Sequence, residues 1–206
     1  MSTEYRPVSD VIRQRRSIRR FLTDPVPPLL VYDLVELACT APSPHGSKPW
    51  RFVYVAFSDA KARLADAMAS AWLMELVKGE MPVLEVDRVI KRSRRQISDA
   101  PVLLLACLTD RDANEWPDEQ RRRGERDMFV QSLGAALQNM LLTASERGLS
   151  GYLKGAPMFC APAVREALDL DTSWEPMFLV LLGYPDPAVM PAERERFDLD
   201  RFMIER

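Results

Sequence analysis

Pro101-Val102-Leu103-Leu104-Leu105-Ala106-Cys107-Leu108 is an apolar run with no polar residue breaking it. A strand with one wet face alternates apolar and polar side chains, so an uninterrupted run of this length reads as a strand covered on both faces. Downstream, Glu125 to Arg147 has helical periodicity through Phe129, Leu133, Ala136, Met140 and Leu141. Gly148 stands where a left-handed cap would stop that helix. Met177 to Leu182 repeats the buried-strand pattern. Upstream, the spacing predicts helices over Val8 to Arg20, Pro28 to Thr40, Ser58 to about Lys78 and Pro82 to Ser98, with a short strand over Arg51 to Phe57. Asp110 to Gly124 is charged and irregular, and from Gly183 onward prolines and charges describe an extended tail. The expected fold is α+β, with four to five mostly antiparallel strands packed by helices. A doubly wound arrangement is the alternative left by the pattern.

The 206 residues, 47% hydrophobic, suffice for one filled core, so residues 1–206 read as a single domain without linker or repeat. A formal net charge of −2 gives the chain as a whole no electrostatic footprint for nucleic acid or an anionic membrane. Nothing approaches the roughly 18 consecutive apolar residues of a membrane span, and Met1 to Arg20 is polar and Arg-rich rather than a leader. Cys39, Cys107 and Cys160 lie far apart in apolar surroundings, which suits reduced thiols in a reducing, cytoplasmic compartment.

The familiar catalytic kits are largely missing. His45 is the one histidine, so a His-based metal cluster is not expected and a Ser-His-Asp triad is improbable. There is neither a G-x-G-x-x-G nor a P-loop, so a bound phosphate would have to be held by side chains. Arg13, Arg15, Arg16, Arg19 and Arg20 crowd the first helix, where Arg15/Arg19 and Arg16/Arg20 would each share a face. That cluster reads as a solvated basic face, as a phosphate site with Ser17 adding a hydroxyl, or as a nucleic-acid patch. Ala41 to Trp50 is a proline-rich loop whose small residues let backbone approach a ligand, with Lys48 as a local cation. By itself such a loop is more often a turn.

Together these stretches are similar to a known pattern. Arg15-Arg16-Ser17-Ile18-Arg19, then Ala41-Pro42-Ser43 and Pro49-Trp50-Arg51-Phe52, resemble the paired N-terminal signatures of the nitroreductase family of FMN enzymes. Gln138-Asn139-Met140-Leu141 with Gly148 to Tyr152, and Gly183-Tyr184-Pro185 with Arg194-Glu195-Arg196, resemble its central helix, following loop and terminal basic pair. A narrower resemblance links Gly124 to Phe129, Met158-Phe159-Cys160, Val164 to Leu170 and Trp174 to Met177 to the flavin domain of bifunctional coenzyme F-420 gamma-glutamyl ligases. In that group the flavin domain reduces a dehydro form of the deazaflavin precursor.

The resemblance implies an obligate homodimer with exchanged arms, two FMN sites at the subunit interface and a small-molecule substrate, a deazaflavin in the narrower case. The apolar Phe197, Leu199, Phe202, Met203 and Ile204 suit an arm on a partner or a tail on the chain's own surface. By similarity, Arg15, Arg16 and Ser17 hold the FMN phosphate and ribityl chain, joined by Arg194 and Arg196, while Arg19 reaches the pyrimidine edge. Ser43, Pro44, His45, Gly46 and Lys48 supply the cofactor-side loop, His45 reading equally as an ordinary loop histidine. Lys154, Gly155 and Ala156 fall where a backbone N–H approaches flavin N5, and no side chain is singled out as catalytic. NAD(P)H or another reductant would supply electrons. Arg92, Arg94, Arg95 and Arg121 to Arg123 read as solvated faces or as cations at the mouth of the site.

Overall fold

The computed structural model describes residues 7–79, 82–189, 191 and 193–206, except for the side chains of 75, 77 and 78. The first six residues of the polar N-terminal stretch lie outside that description. In chain order the elements are α1 (Val8–Gln14), α2 (Pro28–Ala38), β1 (Trp50–Tyr54), α3 (Ser58–Lys78), α4 (Val83–Ser98), β2 (Val102–Thr109), α5 (Glu119–Glu146), β3 (Ser150–Lys154), α6 (Ala161–Leu168) and β4 (Trp174–Gly183). Short 3-10 turns occur at Pro44–Gly46, Ala156–Phe159 and Leu199–Arg201.

The strands form one antiparallel sheet in the order β1-β2-β4-β3, which excludes a doubly wound arrangement. β2 is buried along its whole length, as its unbroken apolar run requires. Its side chains divide by parity: Val102, Leu104, Ala106 and Leu108 pack with α2 and α5 on one face, while Leu103, Leu105 and Cys107 pack with α3, α4 and α6 on the other. β4 divides likewise, with Val180 and Leu182 facing one layer and Leu179 and Leu181 the other. Pro176 is tolerated in this inner strand because the register with β2 shifts between Ala106 and Cys107, and β3 pairs only from Leu179 onward.

Three expectations change. The first helix ends at Gln14, and Arg15 turns to ψ 132°, so Arg15 to Arg20 is extended and its arginines share no helix face. Ser17 instead pairs in parallel with Gly151, and Phe21 pairs with Pro185, which sews this segment to the outer edge of β3 and the end of β4. The irregular reading of Asp110 to Gly124 is half right: α5 starts at Glu119, after the Asp118 carboxylate accepts from the Arg121 N–H at 2.9 Å. The high charge there is helical because Arg121, Arg122 and Arg123 pair with Asp118 and Glu119 within one turn. β3 and α6 were not visible in the spacing, since each is too short to show a period. Gly148 does cap α5 with φ 78°.

The three cysteines are free thiols. Burial pushes the Cys107 thiol up to about 12 and that of Cys160 up to about 11, and both are almost inaccessible. Since the thiolate is the reactive form, alkylation of native protein at pH near 8 should stop at Cys39, the half-buried thiol. Mass spectrometry checks this: modification of Cys107 before denaturation would contradict the buried position of β2.

Candidate functional site

The site grows from the outer edge of β3. Gly151 sits there because no larger residue fits: a Cβ would lie 2.3 Å from Leu182 Cδ2 and 2.5 Å from the Leu181 carbonyl oxygen. The glycine thus serves the packing of β3 on β4, and the chain around Ser17 runs alongside Gly151 in a parallel bridge. Arg15 and Arg16 then occupy the turn between α1 and that extended segment. Arg16 Nη1 donates to the carbonyls of Arg13 at 2.9 Å and Arg15 at 3.2 Å, closing the C-terminal end of α1. Arg194 Nη2 reaches back to donate to the Arg15 carbonyl at 3.0 Å. Burial, then the nearby Arg194 and Arg16 guanidinium groups, hold Arg15 below its ordinary value.

Among the described residues no carboxylate lies within ion-pair distance of Arg15, Arg16 or Arg19, whereas Arg13 pairs with Asp10 and Arg20 with Asp186. Like charges gathered without a counter-charge repel one another, and a dianionic group placed among them relieves that repulsion. The cluster therefore has the chemistry of a phosphate cradle, and its donor set fits FMN. Arg196 is exposed two residues beyond Arg194.

Further along the edge, Arg19 lies over the Tyr152 ring, 5.3 Å from its centroid. Lys154 ends β3, with Nζ donating to Gln96 of α4 at 3.2 Å; burial and Arg92 lower its affinity for a proton. Gly155 and Ala156 follow, and Ala156 opens a 3-10 turn whose first amides have no acceptor within the helix. Gly155 is close-packed, a Cβ there falling 2.9 Å from Met158 Cε and 3.4 Å from Phe178 Cε1.

The loop of Ser43 to Lys48 is elsewhere. His45 and Lys48 take left-handed φ of 52° and 47°, Gly46 one of 69°, and the Lys48 N–H donates to Ser43 Oγ at 3.1 Å. Pro44 opens the 3-10 turn, and the loop rests on α5 before entering β1. β1 and β3 are opposite edges of the sheet, three strand spacings or about 14 Å apart. Within one chain the two halves of the expected cofactor site do not meet.

Arg15, Arg16, Ser17, Arg19, Lys154, Gly155, Ala156 and Arg194, which the resemblance gave to one cofactor site, lie along one edge of the sheet, the first four on an extended segment beyond the end of α1 rather than on the expected helix. Sequence reasoning missed Tyr152, whose hydroxyl is buried without a hydrogen-bond partner among the described residues. On α4 it named Arg92, Arg94 and Arg95 and left out Arg88, which shares a helix stripe with Arg92 and Arg95. Arg94, also named there, turns away to pair with Asp66.

The family model of the nitroreductase family matches residues 12–184. YfhC of Bacillus subtilis (strain 168), named for an inferred NAD(P)H nitroreductase activity, is 29% identical over 194 residues, covering 94% of this chain and 91% of that one. The fold is shared with a nitroreductase-like family protein of Bacillus cereus, at a TM-score of 0.77 and 23% identity, over 100% of this chain and 99% of the other. A Desulfovibrio desulfuricans protein assigned as a nitroreductase and solved in complex with FMN gives a TM-score of 0.71 at 25% identity, covering 98% of each chain. With the edge of β3 carrying an uncompensated arginine cluster in the family's own order, the chain belongs to the nitroreductase family, whose members are FMN-dependent oxidoreductases.

Proposed function

We propose that residues 1–206 act as one FMN-binding domain that works as a cytoplasmic homodimer, takes electrons from NAD(P)H, and reduces a conjugated organic acceptor such as dehydro-F-420. The observation that carries the cofactor part is the cluster of Arg15 and Arg16 with Arg194, the first two having no carboxylate partner among the described residues. Bound FMN supplies hydride transfer at N5. The chain's own residues hold and orient. Arg15, Arg16, Ser17, Arg194 and Arg196 would take the phosphate and ribityl chain, and Arg19 the pyrimidine edge. The amides at Gly155 and Ala156 would face N5.

The homodimer is supported by the separation of the two signature halves. A second copy would bring its Ser43 to Lys48 loop, with Pro44, His45 and Gly46, to the β3 edge of the first. The exposed Phe197, Leu199, Phe202, Met203 and Ile204 belong to neither core cluster among the described residues, Phe197 and Phe202 meeting edge-on at 6.0 Å, and would cover a partner. Among the described residues no helix is long and apolar enough to cross a membrane, and three free thiols suit a reducing compartment. The narrower acceptor assignment rests on the likeness of Glu125 to Phe129 and Trp174 to Met177 to deazaflavin-forming enzymes. A broad nitro or quinone reductase is the second reading, favoured by the relative named for NAD(P)H nitroreductase activity.

Purified protein should take up FMN, turn yellow and run at the mass of a dimer. Steady-state assays with dehydro-F-420 and a nitrofuran then separate the acceptors. A kcat/KM for the deazaflavin precursor no higher than for the nitrofuran leaves the general reductase, and failure to bind FMN overturns the whole reading.

A further inference from the structure

Arg19 is an exposed, long side chain, and among the described residues no carboxylate lies within ion-pair distance to hold it. Left to itself such a side chain spreads over many rotamers, and its charge has no fixed place. Two contacts restrain it. Its Nη1 donates to the Ser17 carbonyl at 3.4 Å, a long bond, and its guanidinium lies over the Tyr152 ring, 5.3 Å from the centroid. The register accounts for the second contact. Ser17 bridges Gly151 in parallel, so Arg19 and Tyr152, two residues and one residue further on, come side by side along the joined edges. Tyr152 is itself fixed: it is 4% exposed, pairs with Leu181 across β4, and belongs to the core layer of Val164, Leu179 and Leu181.

A carboxylate would fix a guanidinium as well as a ring does, but it would also cancel the charge. An aromatic face attracts a cation through its quadrupole, by roughly twofold to fivefold in an equilibrium constant when exposed and about thirtyfold when desolvated, and leaves the charge free for a ligand. The Tyr152 hydroxyl supplies no counter-charge. Burial, opposed by Arg19 and Arg92, raises the phenol to about 12, so the ring is uncharged at neutral pH. The hydroxyl is also buried without a hydrogen-bond partner among the described residues. The ring, and not the O–H, is therefore the part of Tyr152 that Arg19 uses.

We propose that Tyr152 is a positioning residue: its ring face holds the Arg19 guanidinium, uncompensated, where negative charge gathers on the flavin when it takes up electrons, and so favours the reduced over the oxidised cofactor. The role rests on the function proposed above, in which Arg19 meets the pyrimidine edge of FMN. A cation fixed at that edge interacts more strongly with the form that carries the added charge, whereas one that swings into water loses this selectivity. Tyr152 acts through Arg19 alone and need not touch the cofactor. Its effect should accordingly vanish when Arg19 is removed.

The midpoint potential of bound FMN, set against that of free FMN, reads the ratio of the dissociation constants of oxidised and reduced cofactor. Tyr152→Leu should lower that ratio roughly threefold to thirtyfold, seen as a lower potential, and Tyr152→Phe, which keeps the ring, should leave it within about twofold of the parent. Arg19→Ala should lower it at least as far as Tyr152→Leu, and the double variant no further than Arg19→Ala. A structural role alone would weaken both forms of the cofactor together and leave their ratio unmoved. The role of Tyr152 falls if Tyr152→Leu keeps the parent ratio, if Tyr152→Phe lowers it as much as Tyr152→Leu, or if Tyr152→Leu lowers it equally without Arg19. Should Tyr152→Leu fail to fold, Tyr152→Met carries the same comparisons with a longer side chain. Urea denaturation of the apoprotein gives an arm free of cofactor: Arg19→Ala and Tyr152→Leu should be coupled by about twofold to fivefold in the unfolding constant, and Arg19→Ala and Tyr152→Phe not at all. Absence of the first coupling overturns the hold of Tyr152 on Arg19. Protein that takes up no FMN overturns the function proposed above and this use of Arg19 with it, whereas protein that binds FMN and fails any of the three ratio comparisons overturns the role of Tyr152 only.

Discussion

Arg15→Ala is expected to weaken FMN binding by about 1.5–3 kcal/mol, roughly tenfold to more than a hundredfold in Kd, through loss of a charge-assisted bond to the phosphate. Arg15, like Arg16, is half-buried, and it makes no ion pair among the described residues. Its removal from the apoprotein should therefore cost little, because it relieves repulsion from Arg16 and Arg194. Chemical denaturation without FMN separates the two effects: affinity falls while apoprotein stability holds or rises. Arg194→Ala should lose affinity and also release the tail, since its Nη2 donates to the Arg15 carbonyl at 3.0 Å. Arg94 and Arg122, paired with Asp66 and Glu119, are the controls. Equal losses at all four positions would mean that overall positive charge, rather than a defined cradle, attracts the cofactor.

Glu125→Ala should destabilise the fold by about 1–3 kcal/mol, because it takes the shared acceptor from several part-buried donors at once. Glu125 is 5% exposed near the start of α5. Its carboxylate accepts from the Asn114 N–H at 3.1 and 3.2 Å, from Asn114 Nδ2 at 2.5 Å and from Trp116 Nε1 at 3.1 Å. One side chain thus ties down the loop between β2 and α5. Glu125→Gln preserves the shape and one acceptor oxygen, so it should recover part of the loss. Urea denaturation of both variants measures this, and a Glu125→Ala midpoint within error of the parent would show that water satisfies the loop.

What could be read from the sequence follows from length and period. β2 declares itself because a strand buried on both faces has no polar interruptions, and α5 because its apolar stripe repeats over several turns. β3 carries only Ser150 to Lys154, and its partner across the edge, around Ser17, lies more than a hundred residues away in the chain. No local window contains both. The arginine cluster was visible as composition, but the reading that placed it on a helix face failed because Arg15 to Arg20 is extended by tertiary pairing to β3 that overrides local helical preference. Tyr152 stood in a stretch read only as the loop after the central helix. Its significance lies in the Arg19 guanidinium over its ring, and local spacing cannot reveal a contact made across the sheet edge. The Ser43 to Lys48 loop was read correctly as a loop, yet its position at the far sheet edge depends on the strand order β1-β2-β4-β3.

The bond from Arg194 to the Arg15 carbonyl joins positions 179 residues apart. Closing so long a loop is entropically demanding and belongs to the late steps of folding, after the central strands have paired. The phosphate cradle is then a record of completed folding: a chain that stops short of residue 194, or has not yet docked its tail, presents Arg15 and Arg16 without their third neighbour. Uptake of an anionic ligand at this edge should select full-length, folded molecules from the population, and by mass action hold them in that state.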